Sequence, residues 1–324
     1  MRLAVLARRP ALTVLVGAVA IAFSGILFRL AHVSPSTGAF YRCVWALPPL
    51  WLIARWEERR WGSRPRRTRR WAWLAGAFFA ADLVLWHNAI DQVGAGLATV
   101  LGNTQVVLVG LVAWLLFRER PHTMSLAAIP VVSVGVVLIS GALEQGAYGK
   151  NPGLGATYGV LTGLAYTAFL LTLRHGQQGV VGPAGPLFDA TLASALGCAV
   201  IGAVVGDLDL TPSWSAQGWL VLLALSSQVL GWLLISISLP RLPAVVTSIL
   251  LTLQPVATVF FAALLLDESP SPLQLVGAAA ILSGLALASA RGRRKPVPAP
   301  SVPAPAYEPS SAARSGTSSS VGIQ

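Results

Sequence analysis

Residues 244–289 read AVVTSILLTLQPVATVFFAALLLDESPSPLQLVGAAAILSGLALAS, and residues 95–140 read AGLATVLGNTQVVLVGLVAWLLFRERPHTMSLAAIPVVSVGVVLIS. Aligned without gaps at one constant offset, the two stretches share polar and charged residues as well as apolar ones. Identity at chemically unlike positions is typical of an internal repeat. The sequence therefore predicts a duplicated chain. The identical pairs include Ala95/Ala244, Leu101/Leu250, Gln105/Gln254, Val107/Val256, Ala113/Ala262, Leu115/Leu264, Leu116/Leu265, Glu119/Glu268, Pro121/Pro270, Gly135/Gly284, Leu138/Leu287 and Ser140/Ser289.

Each copy has an apolar run before a Glu-x-Pro turn and a second apolar run after it. Each run has about 20 residues, which is enough to cross a hydrocarbon core roughly 30 Å thick as a helix. The whole chain has 324 residues, of which 55% are hydrophobic and 11% charged, and its mean hydropathy is +0.68. This composition excludes a soluble globular protein and predicts an all-α integral membrane protein.

Ten apolar runs are long enough to be membrane spans. The predicted spans are Ala11–Leu30, Gly38–Ala54, Trp71–Ile90, Gly94–Phe117, Ser125–Leu143, Pro152–Leu173, Pro183–Val205, Gly218–Leu239, Pro243–Leu266 and Leu273–Ala290. Ala11–Leu30 could instead be a cleaved signal peptide after Arg8 and Arg9, but its removal would leave nine spans and break the repeat.

The distribution of basic residues predicts the orientation of these spans. Lys and Arg number 23 against 12 Asp and Glu, and they crowd into alternate connections, as the positive-inside rule requires. With both termini in the cytoplasm, only Arg29, at the outer end of the first span, and Lys150 lie on the outside, and Arg42 lies within a span. Because each half has five spans, the second half is predicted to be inverted relative to the first, as in many secondary transporters.

The fold prediction is thus ten transmembrane helices arranged as two inverted five-helix repeats. The predicted segments are a cytoplasmic N-terminus (1–10), a first repeat (11–143), an external connection (144–151), a second repeat (152–290) and a cytoplasmic tail (291–324). The tail is rich in Pro, Ser and Ala with few large apolar side chains, which predicts disorder.

The repeated motifs resemble a known family. Glu119-Arg120-Pro121 and Glu268-Ser269-Pro270, each with a Gly sixteen residues after the Glu, are similar to the EamA-type transporters of the drug/metabolite transporter superfamily. Gln254-Pro255 fits the family's Gln-Pro in the ninth span, whereas Gln105-Val106 lacks the proline in the fourth. The resemblance implies a carrier of the bacterial inner membrane, often an exporter of amino acids or other small metabolites, that works by alternating access without ATP.

Ionisable residues deep in spans are the first candidates for proton coupling and gating. A central Asp82 costs roughly 2.5–3.5 kcal/mol to insert, so it should be paired, hydrated or protonated; it could load and release a proton, or simply bond a neighbouring helix. His87 could relay protons or be a satisfied interfacial histidine. Arg42 and Asp189 occupy equivalent places in the two halves and could be outer and inner gates, although Arg42 could also extend to the headgroups.

Polar and aromatic side chains within spans are the candidates for substrate binding. Gln254 lies beside Pro255, whose ring should kink the ninth helix and free a carbonyl that Thr252 could satisfy. In the fourth span Asn103 shares a face with Thr99, and Gln105 is expected on another face. For Gln105, Gln254, Trp232 and Tyr166 the alternative is packing between helices. The remaining candidates are Trp86, Gln228, Trp232 and Tyr166.

The predicted function is a secondary transporter, working as an exporter of small polar or amphipathic metabolites such as amino acids, with proton coupling as a further hypothesis. We expect a small-molecule substrate and the lipid bilayer as partners, no nucleic acid and no cofactor, and a homodimer is left open. His87 with Asp91 is too sparse for a metal site, because at least one ligand would be missing. The alternatives are a membrane sensor or scaffold, and an intramembrane transferase; the spans hold no carboxylate cluster that such an enzyme would need.

Overall fold

The computed structural model describes residues 10–105, 107–108, 123–177, 180, 182–238, 250–251 and 253–289. Over these residues the chain is helical apart from short connections, and it forms no strand. A π-helical segment (Ala224–Gly231) joins two of the helices. The α-helices are α1 (Pro10–Ala22), α2 (Ser24–Ala31), α3 (Pro35–Val44), α4 (Leu47–Trp61), α5 (Arg66–Val93), α6 (Ala95–Gly102), α7 (Thr123–Ile139), α8 (Pro152–Gly176), α9 (Ala184–Val205), α10 (Trp214–Leu223), α11 (Trp232–Ser238), α12 (Leu253–Leu266) and α13 (Pro272–Ser289).

Several helical segments of the described chain are long and apolar enough to cross a membrane. Five such segments have at least 18 residues, and shorter apolar helices accompany them. The prediction of an all-helical, multi-pass membrane protein is therefore confirmed. The five are Ala11–Ala31, Arg66–Val93, Pro152–Gly176, Ala184–Val205 and Trp214–Ile237; the shorter ones are Ala127–Ile139, Leu253–Leu266 and Pro272–Leu287.

Parts of the prediction lie outside the described residues. These are Glu119, Thr252, the tail 291–324 and all but the last residue of the predicted N-terminus 1–10. The fourth predicted span (Gly94–Phe117) and the ninth (Pro243–Leu266) are described only in part.

The second predicted span, Gly38–Ala54, is not one continuous helix. Helix α3 ends at Val44 and α4 begins at Leu47, and Pro48 and Pro49 are the second and third residues of α4. A proline has no N–H to donate, and it disfavours the helical conformation of the residue before it, so the hydrogen bonding of α3 cannot run on through this point. The predicted second span is therefore divided between α3 and α4.

The glycine stripe of α8 brings that helix into close contact with the first repeat. A Cβ added to Gly155 would lie 2.7 Å from Val93, and one added to Gly159 would lie 2.5 Å from Leu101. One added to Gly163 would lie 2.7 Å from the hydroxyl of Thr104. The absence of side chains along this stripe therefore sets how closely α8 packs on α5, α6 and the turn after α6.

Helices α7 and α13 cross through a pair of facing glycines. A Cβ on Gly135 would lie 2.7 Å from the carbonyl oxygen of Gly277, and a Cβ on Gly277 would lie 2.8 Å from that of Gly135. Because the obstructing atoms belong to the backbone, they cannot rotate away as a flexible side chain can. The crossing therefore requires glycine on both helices.

We expect Gly135→Val to destabilise the folded protein by about 1–3 kcal/mol, because overpacking would push α7 away from α13. Thermal unfolding of the purified protein measures this change. The matched control is Gly218→Val, since Gly218 also lies in a helix but a Cβ there meets nothing within 4 Å. Equal melting temperatures for the two variants would contradict the proposed tight crossing.

The carboxylate of Glu268, the glutamate of the second Glu-x-Pro motif, caps a helix of the first repeat. Its Oε1 accepts a hydrogen bond from the amide of Ala95 (2.7 Å), and its Oε2 accepts one from the amide of Gly96 (3.0 Å). Gly94, at φ +85°, leaves room for this carboxylate, since a Cβ there would lie 2.8 Å from it. A negative charge at the start of α6 also agrees with the helix dipole.

Two further carboxylates make the same kind of contact between the repeats. The Oε2 atom of Glu57, after the predicted end of the second span, accepts hydrogen bonds from the amides of Ala184 (3.0 Å) and Gly185 (3.1 Å) at the start of α9. In return, Asp207 after α9 accepts one from the amide of Ser36 (3.3 Å) at the start of α3. Backbone amides at the starts of three helices, α3, α6 and α9, therefore donate hydrogen bonds to a carboxylate of the other repeat.

Candidate functional site

A cavity of about 60 Å³ lies inside the bundle between helices of the two sequence repeats. Polar and aromatic side chains dominate its lining, and eight of the eleven residues predicted from the sequence as site residues are among them. The first repeat contributes Ile21, Ser24, Arg42, Phe79, Asp82, Leu83, Trp86, Thr99, Gly102, Asn103 and Gln105, and the second contributes Thr162, Tyr166, Trp232 and Gln254.

Asp82 lies in the middle of α5 and faces this cavity. Its side chain is only 5% exposed, and it makes no hydrogen bond or ion pair to another described residue within bonding distance. Trp86, one helical turn later, lines the same cavity, as expected from the i, i+4 spacing. Arg42 lines the same cavity, so a molecule in the cavity would meet both a carboxyl group and a guanidinium group.

The Arg42 side chain points into the protein and not toward the headgroups. The residue is 3% exposed; its Nε donates to Gln228 Oε1 (3.1 Å) and its Nη1 to Ser24 Oγ (3.2 Å). The guanidinium lies 5.7 Å from the centre of the Trp86 ring, within cation–π range. The suggestion that Arg42 extends to the headgroups was therefore wrong, because inward hydrogen bonds and an aromatic face hold it at the cavity.

Gln228 does not line the cavity but fixes Arg42 beside it. Its Nε2 donates to the hydroxyl of Thr191 (3.2 Å), which turns its Oε1 toward the guanidinium. Gln228 lies in the π-helical segment Ala224–Gly231, and the Ser227 hydroxyl in that segment donates to the carbonyl of Ala20 (3.2 Å). Single-turn π-bulges occur often at functional sites, where they change the direction of a side chain.

Gln105 lines the same cavity as Asn103, although an unbroken helix would place them on different faces. The α-helix ends at Gly102, and the amide of Thr104 donates to the carbonyl of Leu101 (3.0 Å) three residues back. This tighter turn changes the helical register, so the prediction that Gln105 faces elsewhere was wrong. Asn103 Nδ2 in turn donates to the carbonyl of Thr99 (2.8 Å).

Three buried polar atoms around the cavity have no hydrogen-bond partner among the described residues. They are Gln105 Oε1, Thr162 Oγ1 and Trp232 Nε1, on residues that are 7%, 3% and 3% exposed. Buried polar groups in folded proteins are nearly always hydrogen-bonded, because an unpaired one costs about 1–3 kcal/mol. The cavity therefore offers an acceptor, a hydroxyl and an indole donor to a polar molecule.

Aromatic rings form the wall of the cavity next to these atoms. Tyr166 lies 5.9 Å from Trp232 between ring centres, and Phe79 lies 5.8 Å from Trp232 in an edge-on arrangement. Phe169 stacks on Phe79 at 4.3 Å from behind. Phe79, Tyr166 and Trp232 thus contribute aromatic surface to the cavity, beside its charged and amide groups.

Gln254 lines the cavity from the start of α12. Thr258, one turn later, donates its hydroxyl to the carbonyls of Gln254 and Ala22, both at 2.9 Å. This hydroxyl joins α12 to the end of α1, so it stabilises the helix start that carries Gln254. Pro255 lies in the first turn of α12, and the predicted kink with Thr252 falls on a position outside the described residues.

His87 lies away from the cavity, against the start of α3. Its Nδ1 is 3.2 Å from the carbonyl oxygen of Pro35, and its ring stacks on Phe28 at 4.1 Å. The residue is fully buried. His87 is not among the residues that line the cavity, although its ring centre lies 5.2 Å from that of Trp86, which does line it. Its role as a proton relay stays a prediction.

Asp189 also lies away from the cavity, in an ion cluster with the connection between α4 and α5. Its Oδ2 is 3.3 Å from Arg64 Nη1 and 4.0 Å from Arg69 Nε. Arg64 Nη2 in turn contacts Glu58 Oε1 at 3.1 Å. Asp189 and Arg42 therefore have different surroundings, because Arg42 lines the cavity while Asp189 contacts two arginines that the repeat comparison did not indicate. Their roles as gates stay a prediction.

Glu57 lies beside the same cluster. Burial raises the pKa of the Glu57 carboxyl above its ordinary value, although the amides of Ala184 and Gly185 and the nearby Arg64 act in the opposite direction. The favourable contacts thus offset only part of the desolvation cost of this carboxylate. The positive charge of Arg64 therefore stabilises both buried carboxylates, Glu57 and Asp189.

We expect Arg64→Gln to lower the free energy of unfolding by about 2 kcal/mol, less than the 3–5 typical of a fully buried pair because Arg69 remains near Asp189. A double-mutant cycle with Asp189→Asn, measured by denaturant unfolding in detergent, should give a coupling of about 1 kcal/mol. Arg55→Gln is the control, since Arg55 is 57% exposed and 3.8 Å from Glu58. If the effects of Arg64→Gln and Asp189→Asn on the free energy of unfolding were strictly additive, this result would argue against an ion cluster that joins the two repeats.

Among the described residues, no three His, Cys, Asp or Glu side chains lie close enough together to hold a metal ion. Cys43 and Cys198 are buried free thiols.

Comparisons with known proteins agree with this architecture. A solved crystal structure, described only as that of a protein, superposes on 88% of this chain and 99% of its own with a TM-score of 0.59 at 14% identity, which shows a shared fold. A search of the curated proteins returns no match. The model of the EamA-like transporter family matches twice, at residues 8–141 and 153–290. These two matches confirm the duplication and cover nearly the whole chain, which therefore belongs to the EamA-like transporter family.

Proposed function

We propose that this membrane transporter exports small polar or amphipathic metabolites, such as amino acids, across the bacterial inner membrane by proton-coupled alternating access. The central cavity is its substrate site. Asp82 carries the proton, and Arg42 supplies a fixed positive charge. Gln105, Asn103, Gln254, Thr162 and Trp232 offer hydrogen bonds to the substrate, and Trp86 and Tyr166 offer aromatic surface.

The observation that carries this proposal is the set of unpartnered polar atoms around the cavity. Gln105 Oε1, Thr162 Oγ1 and Trp232 Nε1 come from three different segments, the turn after α6, α8 and α11, and all three residues border the same space. Packing residues that hold helices together bond one another, whereas these atoms do not. A polar solute that passes through the cavity would satisfy them in turn.

The size of the cavity supports a closed state of the transport cycle. Its volume of about 60 Å³ is far below the roughly 300–1,000 Å³ of typical small-molecule sites. Helices of the two repeats must therefore move apart before a metabolite can enter. The contacts of Glu268 with α6 and of Arg64 with Asp189 lie between the repeats, so they are the contacts that such a movement would break.

We further propose that the chain has ten spans in two inverted repeats (11–143 and 152–290), with both termini in the cytoplasm. The distribution of arginines and the five spans in each half support this topology. Either a monomer or a homodimer is compatible with it, since the proposed site lies within one chain.

The experiment that tests the function has two stages. A panel of metabolites is first screened for thermal stabilisation of the purified protein, because a ligand that binds the folded state raises its melting temperature. Stabilising compounds are then tested for movement in proteoliposomes with and without a pH gradient. Transport that responds to the pH gradient is the expected result. Transport that ignores the gradient would remove proton coupling, and a panel without binding or transport would contradict the carrier proposal.

A further inference from the structure

Seven exposed arginines lie on the hairpin formed by the end of α4 and the start of α5. We call this region the basic hairpin, and its exposed arginines are Arg55, Arg59, Arg60, Arg66, Arg67, Arg69 and Arg70. The hairpin is ordered: α4 ends at Trp61, Gly62 adopts φ +88°, and α5 begins at Arg66. Its charges are therefore carried on helices and not on a long loop.

Acidic residues of the described chain do not neutralise this surface. Glu57 is buried and bonded to the start of α9, and Asp189 is buried beside Arg64. Glu58 contacts Arg64 at 3.1 Å and reaches Arg55 only at 3.8 Å. The other exposed arginines of the basic hairpin thus lack carboxylate partners among the described residues, apart from the 4.0 Å approach of Arg69 to Asp189.

The stability of α5 does not explain these charges either. Its first turn contains Arg66, Arg67 and Arg69 and no acidic residue, and its N-cap, Pro65, offers no side-chain hydrogen bond. Positive charge at a helix N-terminus is unfavourable, because the helix dipole already places partial positive charge there. The arginines therefore destabilise the isolated helix unless an external anion compensates them.

Tryptophans on the same hairpin place it at the membrane surface. Trp51, Trp56 and Trp61 are 48%, 45% and 46% exposed, and tryptophan rings favour the headgroup region of a bilayer. The guanidiniums of Arg55 and Arg60 lie over the rings of Trp51 (5.9 Å) and Trp56 (5.6 Å). Fixed positive charge is thus held at the depth at which phospholipid phosphates lie.

We propose that the basic hairpin binds the headgroups of anionic phospholipids in the adjacent leaflet. Charge complementarity selects this partner over zwitterionic lipids, and the tryptophans select a lipid over a free anion. The surface is distinct from the substrate cavity, and it adjoins the Arg64–Asp189 contact between the repeats through Arg69. Bound anionic lipid therefore stabilises the end of the bundle where α4, α5 and α9 meet.

The test compares lipids added to the purified full-length protein in a neutral detergent. Phosphatidylglycerol should raise the melting temperature by on the order of 5 °C more than phosphatidylcholine with the same acyl chains. The variant with Arg59, Arg60, Arg66 and Arg70 changed to Gln should lose most of this difference. The same four changed to Lys should retain it, because the charge remains.

A matched control separates this surface from general charge effects. Changing Arg291, Arg293, Arg294 and Lys295 to Gln removes the same charge from another part of the sequence, and this variant should respond to phosphatidylglycerol as the wild type does. Inorganic phosphate in place of lipid should give no stabilisation. Equal responses of the two Gln variants, or full stabilisation by inorganic phosphate alone, would overturn the proposal. Because none of these measurements requires a transported substrate, they are independent of the proposed transport function.

Discussion

Asp82→Asn is expected to abolish proton-driven accumulation of substrate, with a loss of at least about 100-fold in the initial rate in proteoliposomes under a pH gradient. Asparagine has nearly the shape of aspartic acid but cannot load or release a proton, so the coupling step is lost while the cavity keeps its form. Exchange of labelled for unlabelled substrate across the membrane without a gradient should persist, since exchange needs binding and movement but no net proton transfer.

The matched control is Asp91→Asn on the same helix. Asp91 lies at the end of α5, where it forms an exposed ion pair with Lys150 at 2.7 Å, and exposed pairs contribute less than about 1 kcal/mol. The transport rates of the Asp91→Asn variant should match those of the wild type. If Asp82→Asn accumulates substrate at the wild-type rate, Asp82 is a structural residue and the proton must be carried elsewhere. Thermal unfolding of both variants shows whether any loss of transport reflects misfolding.

Glu268→Ala is expected to lower the free energy of unfolding by about 4 kcal/mol. The substitution leaves two backbone amides, those of Ala95 and Gly96, buried without partners, and each such group costs about 1–3 kcal/mol. It also removes a negative charge from the start of α6. Denaturant or thermal unfolding in detergent measures the loss.

Glu268→Gln gives a more specific test of the same contact, because its amide oxygen can accept from one of the two N–H groups but carries no charge. We expect the free energy of unfolding of the Glu268→Gln variant to lie between that of the wild type and that of the alanine variant. Asp209→Asn is the control, an exposed carboxylate whose Oδ1 accepts from the amide of Thr211 at 2.7 Å. A destabilisation by Glu268→Ala no larger than that by Asp209→Asn would show that the helix cap contributes little.

The membrane class and the composition of the cavity could be predicted from the sequence because inserting a polar residue into the bilayer within an apolar helix costs free energy. Asp82, Asn103 and Gln254 each interrupt a long apolar run, and the bilayer leaves such side chains few places other than an internal cavity. The fixed offset between Gln105 and Gln254 further indicated that both halves contribute. The transport roles of these residues stay predictions, whereas their shared location is a property of the fold.

Other features depend on local backbone geometry that residue spacing does not record. Periodicity assumes an unbroken helix, so it misplaced Gln105, which follows the turn after Gly102. The π-helical segment that directs Gln228 toward Arg42 has no distinctive sequence signal within an apolar run. Thr162 and Thr191 were not predicted, because a threonine hydroxyl in a span usually donates to a carbonyl of its own helix and so does not by itself indicate a site.

The helix caps between the repeats were equally hard to foresee, since they join residues far apart in the chain. Glu268 and Ala95 are 173 positions apart, and Ser36 and Asp207 are 171 apart. The sequence pattern placed Glu268 in a turn between two apolar runs, but only the tertiary structure identifies which helix it caps.

These long separations also constrain how the protein can mature on the ribosome. The amides of Ala95 and Gly96 gain their acceptors only after synthesis has reached Glu268. Until then the newly inserted first half must hold unpaired N–H groups in contact with water, lipid headgroups or an insertion factor. The early helices can therefore reach their final packing only after Glu268 has been synthesised, close to the end of the helical bundle. A chain truncated before Glu268 would be readily degraded by quality-control proteases.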